Sequence, residues 1–281
     1  MKICRTIADC RATVATFRAA GETVGLVPTM GFLHEGHMSL VAAAKEAADR
    51  TVVTIFVNPT QFGEAADLDS YPRDEERDLA MLEAAGVDLV LIPPVQEVYP
   101  DGDETIVETT RMANMLHGLV RPGHFRGVTT VVARLFNFVQ PDVACFGEKD
   151  YQQLQVIKRM TRDLAFPVDV RGVTTVREAD GLAMSSRNVR LTPEDRQAAL
   201  VLSQSLKAAE EAAAAGTTIE ALRDLIANTI NAEPRATLRG LDIVGAEDLS
   251  EISGPLTSSA AIMLSAEFGG VLLLDQRVVS P

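Results

Sequence analysis

Three short apolar runs, separated by stretches of helical periodicity, constrain this chain more than any other feature. Thr23-Val24-Gly25-Leu26-Val27, Thr51-Val52-Val53-Thr54-Ile55-Phe56-Val57 and Val87-Asp88-Leu89-Val90-Leu91-Ile92 are continuous rather than alternating, the pattern of strands buried on both faces. Between the first two, Leu40, Val41, Ala44, Ala47 and Ala48 recur at spacings of three and four, leaving Lys45, Glu46 and Asp49 on the opposite side. Between the second and third, Asp67-Leu68-Asp69-Ser70-Tyr71-Pro72-Arg73 leads into a helix expected from about Asp74 to Ala85, with acidic residues in its first turn and Gly86 as its stop. Strand, helix, strand, helix, strand predicts an α/β chain with a parallel sheet.

The same logic extends the sheet. Asp142–Phe146 and Pro167–Val176 read as further strands, and the apolar faces Val128, Val131, Val132, Leu135, Phe136, Val139 and Leu154, Ile157, Met160, Leu164 as helices. A helix is also expected over about residues 5 to 20. Tyr99 to Val107 is polar and β-leaning; it extends the sheet edge or forms a hairpin, and the sequence does not choose. Beyond Asn188 the pattern changes. Thr192-Pro193-Glu194-Asp195 is a strong helix start, alanine-rich helices run to about Gly216 and from Ile219 to about Ile230, and Leu241–Val244, Ala260–Ser265 and Val271–Leu274 suggest a small antiparallel sheet. The expected domains are therefore residues 1–175, a parallel α/β domain, and 176–281, a smaller α+β cap.

At 281 residues the chain suits two such domains. No apolar stretch approaches the roughly 18 residues of a membrane span, and Met1 to Thr6 lacks the apolar core of a secretory signal. Cys4, Cys10 and Cys145 cannot all pair and have no metal-ligand spacing, which favours free thiols in a reducing cytoplasm. With 39 acidic against 26 basic residues, net charge −13, the chain has no basic footprint for nucleic acid.

The chemistry concentrates where strands hand over to helices. After the first run comes Pro28-Thr29-Met30-Gly31-Phe32-Leu33-His34-Glu35-Gly36-His37, opening a helix whose unpaired amides and macrodipole favour phosphate. His34 and His37, three residues apart, project to nearly the same side, and glycines at 31 and 36 leave backbone open to a ligand. His-x-Gly-His resembles the "HIGH" signature of the Rossmann-like nucleotidylyl-transferring superfamily. Taken alone it reads equally as two histidines in a polar turn.

Other candidates stand at matching places. Gln61, in Asn58-Pro59-Thr60-Gln61-Phe62-Gly63, offers a donor and an acceptor suited to a hydroxy acid, or is a turn glutamine facing water. Asp78 faces the site and helps hold magnesium, or lies on a solvated helix face, the commoner fate of such a residue. Arg121-Pro122-Gly123-His124-Phe125-Arg126-Gly127 is a loop whose basic groups screen phosphate or simply meet solvent. Gly147-Glu148-Lys149-Asp150 follows a strand, placing the Lys149 ammonium where phosphate collects, with Gln153 one helical turn on from Asp150. Met184-Ser185-Ser186-Arg187 presents two hydroxyls and a cation, resembling the mobile "KMSKS" loop that accompanies HIGH motifs.

In their order along the chain these stretches, together with Tyr71-Pro72-Arg73, Tyr151-Gln152-Gln153-Leu154 and Arg177-Glu178-Ala179-Asp180-Gly181-Leu182-Ala183, resemble the pantoate-beta-alanine ligase family, over residues 22 to 190. The resemblance implies a Rossmann-like nucleotidylyltransferase-type sheet with a smaller C-terminal α+β domain, the first domain binding ATP and pantoate. It implies an AMP-forming carbon–nitrogen ligase of pantothenate and coenzyme A biosynthesis, cytoplasmic and homodimeric, with magnesium. Pantoate is adenylated by ATP with loss of pyrophosphate, and the β-alanine amine then displaces AMP.

By the same resemblance Met30, Gly31, Phe32, Leu33, His34, Glu35, Gly36 and His37 bind ATP, with His37 as proton donor and His34 beside it on the phosphates. Gly147, Glu148, Lys149 and Asp150 also hold ATP, Lys149 neutralising the phosphates. Val176 lies against adenine by its backbone, and Met184, Ser185, Ser186 and Arg187 close over the triphosphate. Gln61 and Gln153 bind pantoate, and Gln61 later meets β-alanine. Acidic residues on the helix after Tyr-Pro-Arg are associated with magnesium; Asp78 is present, but Arg77 and Met81 occupy positions that are polar or acidic in relatives. The alternative enzyme is a nucleotidylyltransferase acting on a phosphorylated acceptor, which calls for more basic groups than Gln61 and Gln153 supply. An aminoacyl-tRNA synthetase relative requires a basic RNA surface, and a nucleotide-binding regulatory module, the non-enzymatic alternative, finds no support in a loss of Lys149 or the histidines, all of which are present.

Overall fold

The computed structural model describes residues 1–63 and 68–281; Asp67, at the head of the segment leading into the second expected helix, lies outside them. The chain divides into two compact units, one of residues 1–147 and 156–173, the other of 148–155 and 174–281.

The first unit is built on six strands: β1 (Lys2–Cys4), β2 (Val24–Thr29), β3 (Arg50–Ile55), β4 (Leu89–Leu91), β5 (Val143–Gly147) and β6 (Asp169–Val173). Their order is β1-β4-β3-β2-β5-β6, every pairing parallel. Val24, Leu26, Val27, Val52, Val53, Leu89, Val90 and Leu91 are wholly buried, as their unbroken apolar runs require. Helices α1 (Ile7–Ala19), α2 (Glu35–Ala47), α3 (Glu75–Ala84) and α4 (His124–Val139) follow the expected periodicities within a few residues. One core gathers Leu33, Leu40, Val41 and Ala44 from the α2 region with Val27, Val53 and Leu82. The chain lays down β2, β3 and β4 to one side and returns to place β5 beside β2, pairing Leu26 with Ala144. Strand order therefore reverses between β2 and β5, where open α/β sheets bind ligands at their carboxyl ends.

Two features depart from the sequence reading. β1 is a three-residue edge strand, too short to leave a local pattern. Residues 99–107 form neither edge strand nor hairpin: the Val107 amide donates to Thr130 Oγ1, its carbonyl accepts from the Thr129 hydroxyl, and Arg134 holds Asp103 and the Thr105 carbonyl. Side chains of α4 satisfy backbone groups that a strand partner would otherwise take.

In the second unit, β7 (Thr237–Gly245), β8 (Ala260–Phe268) and β9 (Val271–Val279) form an antiparallel sheet, with β8 central. Gly269 and Gly270, both at positive φ, make the two-residue hairpin between β8 and β9. Helices α6 (Leu200–Ala214) and α7 (Ile219–Asn231) share its core through Leu206, Leu222, Ile226, Ile262 and Phe268. The strands run longer than expected, because the antiparallel ladder continues past their apolar segments. The expected boundary after residue 175 left Glu148–Gln155 in the first domain, whereas this segment clusters with the second unit. It opens helix α5 (Tyr151–Asp163), and the buried Tyr151 hydroxyl donates to the Ala246 carbonyl at 2.9 Å.

Candidate active site

The turn after β2 is held from beneath. Thr29 Oγ1 donates to the Thr54 carbonyl and accepts from the Gly31 amide; Gly31 lies at φ 82° and Phe32 at φ 52°. Only glycine adopts the first without strain, and a Cβ at position 31 would sit 3.0 Å from Asp78 Oδ2 and from Ile55 Cγ2. Asp78, on α3 and 1% exposed, accepts the Phe32 amide on Oδ2 and the Leu33 amide on Oδ1, both at 2.7 Å. The solvated helix face expected for Asp78 is therefore wrong, since the turn closes over α3 and gives the carboxylate two amides in exchange for water. Among the described residues no three His, Cys, Asp or Glu side chains form a metal-binding group.

His34 then caps α2 in extended conformation. Its Nδ1 accepts the Gly36 amide at 3.1 Å, while His37 Nδ1 accepts the His34 amide at 3.3 Å, so two imidazoles perform the reciprocal capping more often done by Ser and Glu. The rings, tilted 49° to one another, lie 4.2 Å apart between centroids, both half-buried, and Glu35 between them is exposed.

Gln61 stands on a short 3-10 turn, Pro59–Gln61, capped by Asn58. Asn58 is buried. Its Nδ2 donates to Gln61 Oε1 and to the Gly127 carbonyl, each at 3.1 Å, and its Oδ1 accepts from the Tyr99 hydroxyl at 2.8 Å. Burial pushes the Tyr99 phenol up from its ordinary value, keeping it a donor. With Oε1 taken, the Gln61 amide nitrogen points to Met30 Sδ, 3.0 Å away, which joins the end of β3 to the β2 turn.

The basic loop before α4 also serves Gln61. Arg121 donates to His124 Nε2 at 3.3 Å, which puts the ring proton on Nδ1 for donation to the Gln61 carbonyl at 2.9 Å. α4 begins at His124 rather than at Val128, and its Gly127 lies so close that a Cβ there would fall 2.4 Å from the Thr60 carbonyl oxygen. The supports Asn58, Tyr99 and Gly127 were missed as site residues, and His124, expected to screen phosphate or meet solvent, instead holds the Gln61 carbonyl. The signals available were an Asn ahead of a proline at a strand end and a glycine inside an otherwise well-formed helix.

The second unit carries the remaining candidates. Glu148–Asp150 forms a single 3-10 turn before α5, in which Lys149 Nζ lies 3.6 Å from Asp150 Oδ2; the Lys149 side chain is 20% exposed. Gln153 is half-buried on the first turn of α5. Val176 and Met184 face each other across a hairpin, the Met184 amide donating to the Val176 carbonyl at 2.9 Å. Its base is fixed by Arg177, bidentate to the buried Asp275 at 2.8 and 2.9 Å, and by Arg196, which spans Glu178 and Asp180. Ser185, Ser186 and Arg187 lie half-buried beyond it; Ser185 Oγ accepts the Arg187 amide.

The expected ATP-binding set is thus divided. Met30–His37 and Gly147 belong to the first unit, and Glu148–Asp150, Val176 and Met184–Arg187 to the second; Gln61 and Gln153 divide the same way.

The Pantoate-beta-alanine ligase family profile matches residues 2–278. The pantothenate synthetase of Bartonella henselae is 48% identical over 280 residues, covering 99% of each chain, and that of Agrobacterium fabrum is 50% identical over 99% of this chain and 96% of its own. Pantothenate synthetase from Thermus thermophilus superposes with a TM-score of 0.93 at 46% identity, over 100% of both chains. Pantoate-beta-alanine ligase from Francisella tularensis, complexed with beta-gamma ATP and beta-alanine, superposes with a TM-score of 0.80 at 32% identity, over 99% of this chain and 97% of its own. Sequence and fold agree over nearly the whole length: this chain belongs to the pantoate-beta-alanine ligase family.

Proposed function

We propose that this chain condenses pantoate with β-alanine at the expense of ATP, giving pantothenate, AMP and pyrophosphate through pantoyl adenylate. The observation that carries the reading is the full-length likeness to a ligase whose structure holds beta-gamma ATP and beta-alanine. In the first step a pantoate carboxylate oxygen attacks the α-phosphorus and pyrophosphate leaves. In the second the β-alanine amine attacks the acyl carbon, AMP leaves and the amine loses a proton. A carboxylate is a poor acyl donor, and the detour gives it AMP as a leaving group.

His34 and His37 donate to the phosphates, with His37 as the proton donor, and Lys149 neutralises charge that grows there in the transition state. The turn Met30–Leu33, with Glu35 and Gly36, and the turn Gly147–Asp150 receive the nucleotide. The Val176 carbonyl, already accepting one amide, has a second lone pair for the adenine amino group. Met184, Ser185, Ser186 and Arg187 close on the triphosphate and exclude water from the hydrolysable intermediate. Gln61 and Gln153 bind pantoate, and Gln61 later meets β-alanine. Positioning and electrostatics carry the rate, with no covalent protein nucleophile.

The donor set fits a protein-held magnesium poorly: Asp78 spends both oxygens on amides, and among the described residues no second and third ligand join it. Magnesium is therefore assigned to the substrate, entering on the ATP phosphates. A homodimer in the cytoplasm completes the proposal. It is supported by the family resemblance and by three cysteines that are buried and free. Among the described residues no helix is long and apolar enough to cross a membrane. Gel filtration tests the dimer. The reaction is tested by exchange of labelled pyrophosphate into ATP: exchange that requires pantoate but not β-alanine is expected, and amide formation without such exchange rules out the adenylate.

A further inference from the structure

Asp78 is the one acidic side chain of α3 that is buried, and it faces the turn from which both imidazoles emerge. Its two oxygens take the amides of Phe32 and Leu33, and the turn so held passes through two consecutive left-handed residues, one of them not glycine. The residue after Leu33 is His34, where the reciprocal capping begins. An amide N–H can only donate, so each Nδ1 in that pair is an acceptor, and in the neutral ring the single proton sits on Nε2.

We propose that Asp78 is a positioning residue: by fixing the amides of Phe32 and Leu33 it sets the turn in which both Nδ1 atoms bind backbone, and so makes His34 and His37 Nε2–H donors. The inference rests on the reading of those histidines as phosphate donors, and it gives Asp78 a task distinct from holding magnesium. The fold supplies the tautomer. A carboxylate is suited to the task because it accepts two amides at once with no proton of its own, which neither an amide nor a hydroxyl side chain does.

The test uses the full chain labelled with ¹⁵N in its four histidines. In the wild type, His34 and His37 are expected to show an unprotonated Nδ1 and a protonated Nε2; a proton on either Nδ1 overturns the proposal without any variant. Asp78→Asn keeps the shape but turns an N–H toward an amide N–H. It is expected to move the His34 and His37 signals while leaving that of His117 in place, and to lower kcat for pantoate-dependent pyrophosphate exchange by about 10²-fold, the scale of a small misplacement of reacting groups. The KM for pantoate is expected to change less than about twofold, the scale of an interaction lost only in the transition state. Raising magnesium is expected to restore nothing. Recovery of the rate with magnesium, a fallen rate with unmoved histidine signals, or moved signals with an unchanged rate each overturns it. If the wild type shows the expected tautomers but His37→Ala keeps its exchange rate, the fault lies with the assignment of histidines to phosphate and not with the clamp.

Discussion

The β2 turn and the Met184–Arg187 loop carry comparable polar groups but are held in opposite ways. In the turn, most residues from Thr29 to His37 are tied to a neighbour: Thr29 to Thr54, Phe32 and Leu33 to Asp78, His34 and Gly36 to imidazole nitrogens. In the loop the ion pairs gather at its base, through Arg177 with Asp275 and Arg196 with Glu178 and Asp180, where Asn188 also meets Glu178 and the Ala183 carbonyl; within the loop Ser185 Oγ accepts the Arg187 amide and Arg187 donates to the Leu272 carbonyl. Preorganised dipoles cost no rearrangement when charge develops, whereas a segment that closes on its ligand must leave its tip for that ligand to complete. Under the function proposed above, the turn is correct before substrate arrives and the loop is completed by it.

The sharpest way to break this contrast is at the loop's base. Asp275→Ala strands the Arg177 guanidinium and is expected to cost about 3 kcal/mol, the lower end for a broken buried pair because Arg177 keeps some solvent. Urea unfolding measures it, and a loss below about 1 kcal/mol would show that the base is not anchored there. Next come the charges themselves. His37→Ala and Lys149→Ala are each expected to slow pantoate-dependent pyrophosphate exchange by about 10²-fold or more with the fold intact. Near-normal turnover in either would remove that residue from the mechanism.

Gly127→Ala probes the rigid side at a distance from the histidines. Its Cβ would press on the Thr60 carbonyl and the Gln61 amide, so about 1–3 kcal/mol of stability is expected to go, with a raised KM for pantoate and an unchanged KM for ATP. Equal change in both constants would mean that α4 supports more than Gln61. The smallest effect is expected at the thiols. Burial pushes Cys10 up to about 12 and Cys145 up to about 11, so alkylating reagents at pH 8 should leave activity untouched. The same shifts mean that the unfolded chain ionises first as pH rises. Stability is independent of these thiols below about pH 9 and falls as pH climbs from there toward about 12, which thermal melts across that range would register.

Much of this was legible in the chain itself. The β-branched runs, the 3, 4 spacings, the acidic first turn after Asp74 and the helix start at Thr192 gave the elements their type and nearly their bounds, because these depend on neighbours within a few residues. The handover of β2 to the histidine turn was equally local. What stayed hidden depends on groups far apart in sequence. No periodicity could tell that Asp78 would meet amides 45 and 46 residues away, or that Tyr99 would fix Asn58, itself 69 residues from the Gly127 carbonyl it binds. Nor could it place Glu148–Gln155 with the second unit, a matter settled by side chains such as Tyr151 on Ala246. Local propensity chose strand or helix for each segment. Which buried carboxylate, amide or phenol satisfies which distant backbone group was decided only when the tertiary fold removed the water that would otherwise have satisfied them all.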